Sequence, residues 1–185
     1  MKKQILLTIV LSMGIMLTGF SQSSEKLVSS KTQIKFFSST PAEDIQAVNT
    51  TSVGTINTKT GEVVFSVPMQ GFEFEKSLMQ KHFNGKDFLN TKAFPKAKLK
   101  ATITNAADID FAKDGSYDAS VIGEMTIQET TKPVKVTGTV VVKGGVVQVE
   151  SVFNITLADY GISFVKGKPA SNIAKTVEVT VNADF

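Results

Sequence analysis

The closing stretch of the chain, "TVEVTVNADF" at residues 176–185, decides the fold class. Its apolar residues Val177, Val179 and Val181 alternate with polar ones, and the apolar row continues to Phe185. Successive side chains of a β-strand point to opposite faces, so a period of two places one row in a core and the other in water. The stretch therefore predicts a half-buried β-strand.

The same alternation recurs in seven earlier segments, which makes β-structure the dominant signal. These segments are TQIKFF (32–37), SVGTIN (52–57), EVVFSVP (62–68), KLKATIT (98–104), YDASVIGEMTIQ (117–128), VKVTGTVVV (134–142) and VVQVESVFNITL (146–157). Together with the closing stretch they predict eight strands. A chain of 185 residues without a visible linker is expected to form one domain.

Short connections join most of the predicted strands. "NTKTG" (57–61) follows the second strand, "KDG" (113–115) precedes the fifth, "TTKP" (130–133) follows the fifth, and Gly144–Gly145 forms a tight hairpin. Connections this short require antiparallel neighbours. Eight antiparallel strands predict an all-β, closed or nearly closed barrel, because closure removes exposed sheet edges.

The connection between the third and fourth strands, residues 70–96, is long and shows no alternation. The sequence "KSLMQKHFN" within it predicts about two helical turns, with Ser77 as the candidate N-cap. Pro95 suits the start of the fourth strand, where a missing backbone N–H costs least. We therefore expect a short helical segment in this connection.

The interior of an eight-stranded barrel can be packed by its own side chains or can hold one small ligand. The inward rows are rich in valine and alanine and include Gly123 and Gly138. Small inward residues leave space for an apolar molecule, but the same rows can pack against one another. The strand pattern alone favours the packed core over a cavity.

The first 21 residues have the layout of a secretory signal peptide. Two lysines precede an apolar run at residues 5–17, and small residues follow. The run is shorter than the roughly 20 residues of a membrane-spanning helix. We expect cleavage near Ser21/Gln22 and a periplasmic or secreted domain, residues 22–185, with no stable membrane anchor. The chain has no cysteine, so neither a lipid-modified cysteine nor a disulfide is available.

The composition gives little support to catalysis. His82 is the only histidine and cysteine is absent. A metal site that needs several histidines or cysteines, and a cysteine nucleophile, are therefore not available. No GxSxG motif occurs. All 20 basic residues are lysine, whereas nucleic-acid recognition relies on arginine. We expect no enzyme activity, metal, cofactor or nucleic-acid partner, and we expect His82 to be a surface or capping residue.

Three motifs give a more specific indication. The first combines His82 with an aspartate–aromatic pair, Asp87–Phe88, and an aromatic–proline pair, Phe94–Pro95. The second is "GEMTIQETTKPVKVTGTV" (123–140), and the third is "DYGI" (159–162). In this order, and over nearly the whole chain beyond the signal peptide, they resemble the YceI-like family of secreted polyisoprenoid-binding proteins.

The resemblance implies an extended, lipocalin-like antiparallel barrel with a helical segment at one end. It also implies an elongated apolar cavity that binds a long isoprenoid-like lipid. Two departures bear on the ligand more than on the fold. The His-Gly pair of the family's second motif is Gln128–Glu129 here, and the chain lacks the family's early tryptophan.

On this interpretation, residues 70–96 fold over the barrel mouth with three phenylalanines turned inward, either as a plug or as the lining of the cavity entrance. The predicted ligand-binding residues are these phenylalanines, inward strand residues and one motif residue: Phe65, Val67, Phe83, Phe88, Phe94, Leu99, Val121, Met125, Val136, Phe153, Ile155 and Tyr160. The predicted function is non-enzymatic binding, carriage or sequestration of an apolar lipid. The alternative is a structural or protein-interaction barrel filled by its own side chains. The sequence carries no signal for an oligomeric state.

Overall fold

The computed structural model describes residues 25–162 and 173–185. The described chain forms eleven β-strands, one α-helix and three short 3₁₀ helices. The strands are β1 (Lys26–Val28), β2 (Lys31–Ser39), β3 (Asp44–Asn49), β4 (Val53–Asn57), β5 (Glu62–Pro68), β6 (Phe72–Phe74), β7 (Lys96–Ile103), β8 (Gly115–Ile127), β9 (Thr130–Lys143), β10 (Val146–Thr156) and β11 (Thr176–Asp184). The helix α1 is Ser77–Asn84, and the 3₁₀ helices are Met69–Gly71, Ala106–Asp108 and Leu157–Tyr160. The predicted signal peptide lies outside the described residues.

All eleven strands belong to one antiparallel sheet that curls into a half-barrel, in the order β1-β4-β5-β7-β8-β9-β10-β11-β2-β3-β6. The prediction of an all-β antiparallel fold with a short helix before β7 is confirmed. The prediction of eight strands in a closed barrel is wrong. The sheet has eleven strands, and within the described residues no ladder of hydrogen bonds joins its edge strands, β1 and β6.

The three strands missing from the prediction carry little signal of their own. The strands β1 and β6 have three residues each, too few for a period of two to stand out. The inner row of β3 contains Ile45 and Ala47 but ends on the fully buried Asn49, which interrupts the apolar pattern. Asn49 Nδ2 donates to the Pro68 carbonyl at 2.7 Å, so β3 depends on a contact with a distant part of the chain.

The N-terminal strands connect the two sides of the curled sheet, one that contains β1 and β4 and one that contains β11, β2 and β3. The strand β1 pairs with β4 near one edge, whereas β2 pairs with β11 and β3 near the other. Between them, the Gly54 N–H of β4 donates to Ser29 Oγ at 2.8 Å, and the Ser29 N–H donates to the Gly54 carbonyl at 2.9 Å. The Ser30 N–H donates to the Asp184 carbonyl of β11 at 2.7 Å. The chain therefore crosses from one side to the other within two residues.

The structure confirms one of the predicted turns and contradicts another. Gly144–Gly145 joins β9 to β10 with positive φ angles of 58° and 82°, as a type I′ hairpin requires, so this prediction is confirmed. The prediction of a turn at residues 130–133 is wrong. The strands β8 and β9 pair as far as Ile127 and Thr130, which leaves only Gln128–Glu129 for the turn.

Neither of the inward glycines, Gly123 and Gly138, has room for a side chain, although Gly138 also lines the cavity described below. A Cβ atom on Gly123 would collide with the Lys100 carbonyl and with Ala101 of the neighbouring strand. A Cβ atom on Gly138 would lie 2.6 Å from the Glu150 carbonyl oxygen. Both glycines therefore allow neighbouring backbones to approach closely.

The interior of the curled sheet is packed at one end. This end lies at the start of β8 and the end of β9, where Val140 and Val142 are 1% and 2% exposed. The buried side chains here are Ile103, Ile109, Ala119, Val140, Val142, Val147 and Ala183. The strand pattern favours a packed core, and this end of the interior is packed. The other end is hollow.

A candidate ligand cavity

The hollow end of the interior is a cavity of about 660 Å³ that is partly open to solvent. Its wall consists of inner rows of the sheet, together with α1 and the turns that follow it. We call residues 77–95 the lid segment. Most lining side chains are aliphatic or aromatic. The volume falls in the range of roughly 300–1,000 Å³ that is usual for small-molecule sites.

An aromatic cluster lies beneath the lid segment, with Phe83 at its centre. The Phe83 ring stacks on Phe36, with ring centroids 5.6 Å apart and planes inclined by 15°. The centroids of Phe72, Phe74 and Phe88 lie 5.6, 5.0 and 6.2 Å from that of Phe83. Aromatic rings attract one another at these separations. The cluster therefore fastens α1 to β2 and β6.

Polar contacts hold both ends of α1. At its start, Lys76 Nζ contacts Glu43 Oε1 at 2.7 Å, and the hydrogen bond and charge of this carboxylate raise the pKa of Lys76. At its end, the buried Thr91 hydroxyl donates to Asn84 Oδ1 at 2.7 Å. Lys76 also occupies the N-cap position and α1 begins at Ser77, so the prediction of Ser77 as the cap is wrong.

The turn between β8 and β9 also contacts the lid segment. Gln128 Nε2 donates to the Phe88 carbonyl at 3.1 Å. Inside the lid segment, the Leu89 N–H donates to the Phe83 carbonyl at 3.3 Å, and Leu89 is buried. Gln128 occupies the position where the resembling family pattern has a histidine. In this chain its amide connects two sides of the cavity mouth.

The structure brings ten of the twelve predicted ligand-binding residues together in the cavity wall. They are Phe65, Val67, Phe83, Phe88, Leu99, Val121, Met125, Val136, Phe153 and Ile155. Phe94 and Tyr160 are outside the wall. A ligand contact by any of the twelve stays a prediction.

Phe94 and Tyr160 are displaced for different reasons. Phe94 is half-buried in a turn that follows Asn90, which has a positive φ of 44°, and the Phe94 N–H donates to the Asn90 carbonyl at 3.0 Å. This turn carries Phe94 past the cavity. Tyr160 is 4% exposed within the core, where burial and the neighbouring Asp159 raise the pKa of its hydroxyl.

The sequence analysis missed the part of the aromatic cluster that the sheet contributes. Phe36 follows Ile34 on the inner row of β2, and it pairs with Ala47, which in turn pairs with Phe74. The sequence "FEF" at Phe72–Phe74 does alternate, but it stands in a connection that shows no longer pattern. Interpreting these three residues as an edge strand would have placed both rings under the lid segment.

The ionisable side chains of the cavity wall are exposed at its rim. Lys81, His82 and Asp87 belong to the lid segment, and Lys98 belongs to β7; all four are exposed. His82 is thus a surface residue, as predicted, although it lies beside the cavity. Across residues 25–162 and 173–185, no group of three or more histidine, aspartate or glutamate side chains is arranged to hold a metal ion. No helix in that same part of the chain is long and apolar enough to cross a membrane.

A curled antiparallel sheet with an apolar cavity beneath a helical cover defines a class of protein built around an internal hydrophobic site. A family model described as a YceI-like domain matches residues 26–185, and the chain belongs to this family. The resemblance carried by the three sequence motifs is confirmed. A comparison with curated protein sequences gives no match.

Several solved structures share the fold. BcnA from Burkholderia cenocepacia superimposes with a TM-score of 0.68 at 16% identity, over 83% of this chain and 96% of that chain. A polyisoprenoid binding domain from Saccharophagus degradans, implicated in plant cell wall breakdown, gives 0.72 at 14% identity, over 86% and 97%. The YceI protein of Campylobacter jejuni gives 0.55 at 12% identity, over 73% and 79%. At these identities the similarity establishes the fold alone.

Proposed function

We propose that the protein binds a long apolar, isoprenoid-like lipid in its cavity and carries or sequesters it without catalysis. The observation that carries this proposal is the cavity of about 660 Å³ with its apolar wall. The Saccharophagus degradans domain, which shares the fold, is described as polyisoprenoid binding. That description supports the same ligand class for this chain.

The distribution of side chains around the cavity suits a chain-like apolar molecule. Aliphatic and aromatic groups line the interior, and the charged groups stand at the rim. At about 0.8 kcal/mol per buried CH₂, a five-carbon isoprene unit contributes up to roughly 4 kcal/mol before losses. Ordering the flexible lipid and losing its translational freedom offset much of this gain. Affinity is then spread over many contacts.

The alternative, a scaffold filled by its own side chains, is favoured only by the packed end of the interior. Protein cores are close-packed, and empty apolar volume costs stability because the lining atoms lose contacts. A scaffold gains nothing from a cavity of this size. The hollow end therefore favours the binding function.

Lipid extraction tests the proposal directly. The protein is purified without detergent from its native host, extracted with organic solvent and analysed by mass spectrometry. We expect an isoprenoid-like lipid at close to one molecule per protein. A protein that carries no lipid, and that takes up no fluorescent isoprenoid analogue from a cyclodextrin complex, would be a scaffold.

Truncating Phe88 should alter ligand exchange more than folding. This ring lies at the edge of the aromatic cluster, is half-buried and lines the cavity. A fully packed phenylalanine costs about 3–5 kcal/mol when cut to alanine, and a partly packed one costs less. We expect Phe88→Ala to stay folded with a moderate loss of stability and to release the bound analogue faster, because a wider entrance acts mainly on rates.

The control for this prediction is Lys92→Ala, which removes an exposed side chain from the same segment. Urea unfolding and stopped-flow release of the analogue, both without vesicles, should give wild-type values for this variant. If Phe88→Ala unfolds with the full cost of a core residue and releases the analogue at the wild-type rate, Phe88 is a plug rather than an entrance residue.

We propose further that the protein acts outside the inner membrane, in the periplasm or after secretion. The layout of the first 21 residues supports export. Lipids of the expected class are insoluble in water. A soluble carrier would let them cross an aqueous compartment that borders membranes.

A further inference from the structure

We propose that the lid side of the protein docks on an anionic lipid bilayer, where the cavity exchanges its ligand. This inference deepens the proposed function, since a bilayer is the natural reservoir of an apolar lipid. The docking itself requires no bound ligand, so it can be tested separately.

The lid segment and the first residues of β7 form the stretch of the described chain with the clearest excess of positive charge. Residues 77–98 contain five lysines and a single acidic residue, Asp87. The rest of the described chain contains 11 lysines and 16 acidic residues. This stretch therefore carries a net charge of +4, whereas the remainder of the described chain carries −5. A charge separation of this kind orients a protein in the field of an anionic surface.

The five lysines are available to an external partner. All are exposed: Lys81, Lys86, Lys92, Lys96 and Lys98. Within the described residues none of them forms an ion pair; the pairs are Lys59 with Glu25 and Lys76 with Glu43. Lipid phosphates can therefore meet these ammonium groups without displacing an internal carboxylate. Clustered lysines near a membrane attract anionic headgroups in this way.

An exposed apolar side chain accompanies the lysines. Leu78 is 61% exposed at the start of α1, whereas the next residue, Met79, lines the cavity. The helix carries one of the five lysines, Lys81, and the other four follow it in the turns and at the start of β7. A short helix with a protruding leucine beside such lysines is suited to lie in the headgroup region, with the leucine inserted. We call Leu78 and the five lysines the mouth face. Because α1 forms part of the cavity wall, docking through this face sets the cavity mouth against the bilayer.

Vesicle co-flotation tests the docking. Protein from the soluble fraction, with no added ligand, is mixed at 50 mM salt with vesicles of phosphatidylcholine alone or with 30% phosphatidylglycerol. We expect partitioning into the anionic vesicles only, weakened steeply at 500 mM salt because salt screens the attraction. Equal partitioning into both vesicle types would overturn the proposal, since apolar insertion alone would then explain it. Absence of partitioning would also overturn it and would leave an acidic protein surface as the partner for the lysines.

Matched variants locate the docking surface. The triple variant Lys86→Gln, Lys92→Gln, Lys96→Gln should partition about a hundredfold more weakly, at roughly fivefold per lysine. The control variant Lys31→Gln, Lys113→Gln, Lys143→Gln removes the same charge from exposed positions at the packed end. It should partition nearly as well as wild type. Equal losses in the two variants would show a general charge effect and no docking face.

A second pair of variants tests the apolar contact. Leu78→Ser should weaken partitioning by about tenfold, because an inserted leucine leaves water when the protein docks. The control Val152→Thr alters a similarly exposed side chain, 58% exposed, on β10. It should leave partitioning unchanged. If the two variants behave alike, the mouth face does not insert.

Uptake of the fluorescent analogue from cyclodextrin separates this proposal from the proposed function. The lysine triple variant should take up the analogue normally in the absence of vesicles, since none of its three lysines lines the cavity. If the wild-type protein takes up the analogue but does not partition into anionic vesicles, the docking proposal is wrong and the binding function still stands.

Discussion

Val179→Asp is expected to destabilise the protein by several kcal/mol or to prevent folding. Val179 is 8% exposed on the inner row of β11, where it pairs with Phe153 on one side and Phe36 on the other. An aspartate there would place an unpaired carboxylate against the apolar cavity wall, and burying a charge without a partner is among the costliest substitutions. Urea unfolding followed by circular dichroism measures the effect.

Thr180→Asp is the matched control, one residue away on the opposite face. Thr180 pairs with Lys35 of β2 and Val152 of β10, and it is only partly buried. A carboxylate at this position can remain hydrated beside the lysine, so we expect a change of well under about 1 kcal/mol. Similar unfolding midpoints for the two variants would show that the inner and outer rows of β11 are assigned the wrong way round.

Phe83→Ala should cause the second-largest loss, about 3–5 kcal/mol, as for a fully packed core phenylalanine. The ring is 6% exposed and contacts four other phenylalanines, so its removal leaves a gap between α1 and the sheet. Because the same ring lines the cavity, the variant should also lose affinity for an isoprenoid analogue. Urea unfolding and fluorescence titration measure the two losses.

Phe94→Ala is the control for Phe83→Ala in the same lid segment. Phe94 is half-buried and lies outside the cavity wall. We expect it to lose much less stability than Phe83→Ala and to bind the analogue with wild-type affinity. A loss of affinity as large as that of Phe83→Ala would show that the turn after Asn90 takes another conformation when the ligand is bound.

Most of the strands that the sequence predicted have inner rows with at least three apolar residues. In β11 and β8 the alternation continues over enough residues to set the face of each side chain, so Val179 and Val121 could be placed inward. Short strands depend on their neighbours instead. The strand β6 exists because Phe72–Phe74 pairs with β3 and packs under Phe83, and neither contact is local in the sequence.

The cavity is a property of three-dimensional packing that strand periodicity does not record. Inner rows at Val140 and at Val179 look alike in the sequence, yet the first belongs to the packed end and the second lines the cavity. What distinguishes them is which rows face each other across the curled sheet. The family resemblance, rather than the pattern, indicated a cavity. The exclusion of Phe94 depends on the positive φ of Asn90, which no spacing rule predicts.

The strand β2, which follows the crossing at Ser29 and Ser30, pairs with the last strand of the sequence, β11, and this pairing bears on how the chain folds. The strand β2 lies between β3 and β11, and the final residue, Phe185, exchanges hydrogen bonds with Val147 and packs against Phe65. A chain that leaves the ribosome N-terminus first therefore exposes β2 long before its partner β11 emerges. Such non-local pairing slows folding and leaves strand edges open to aggregation. The sheet is therefore complete only once β11 has paired with both β2 and β10.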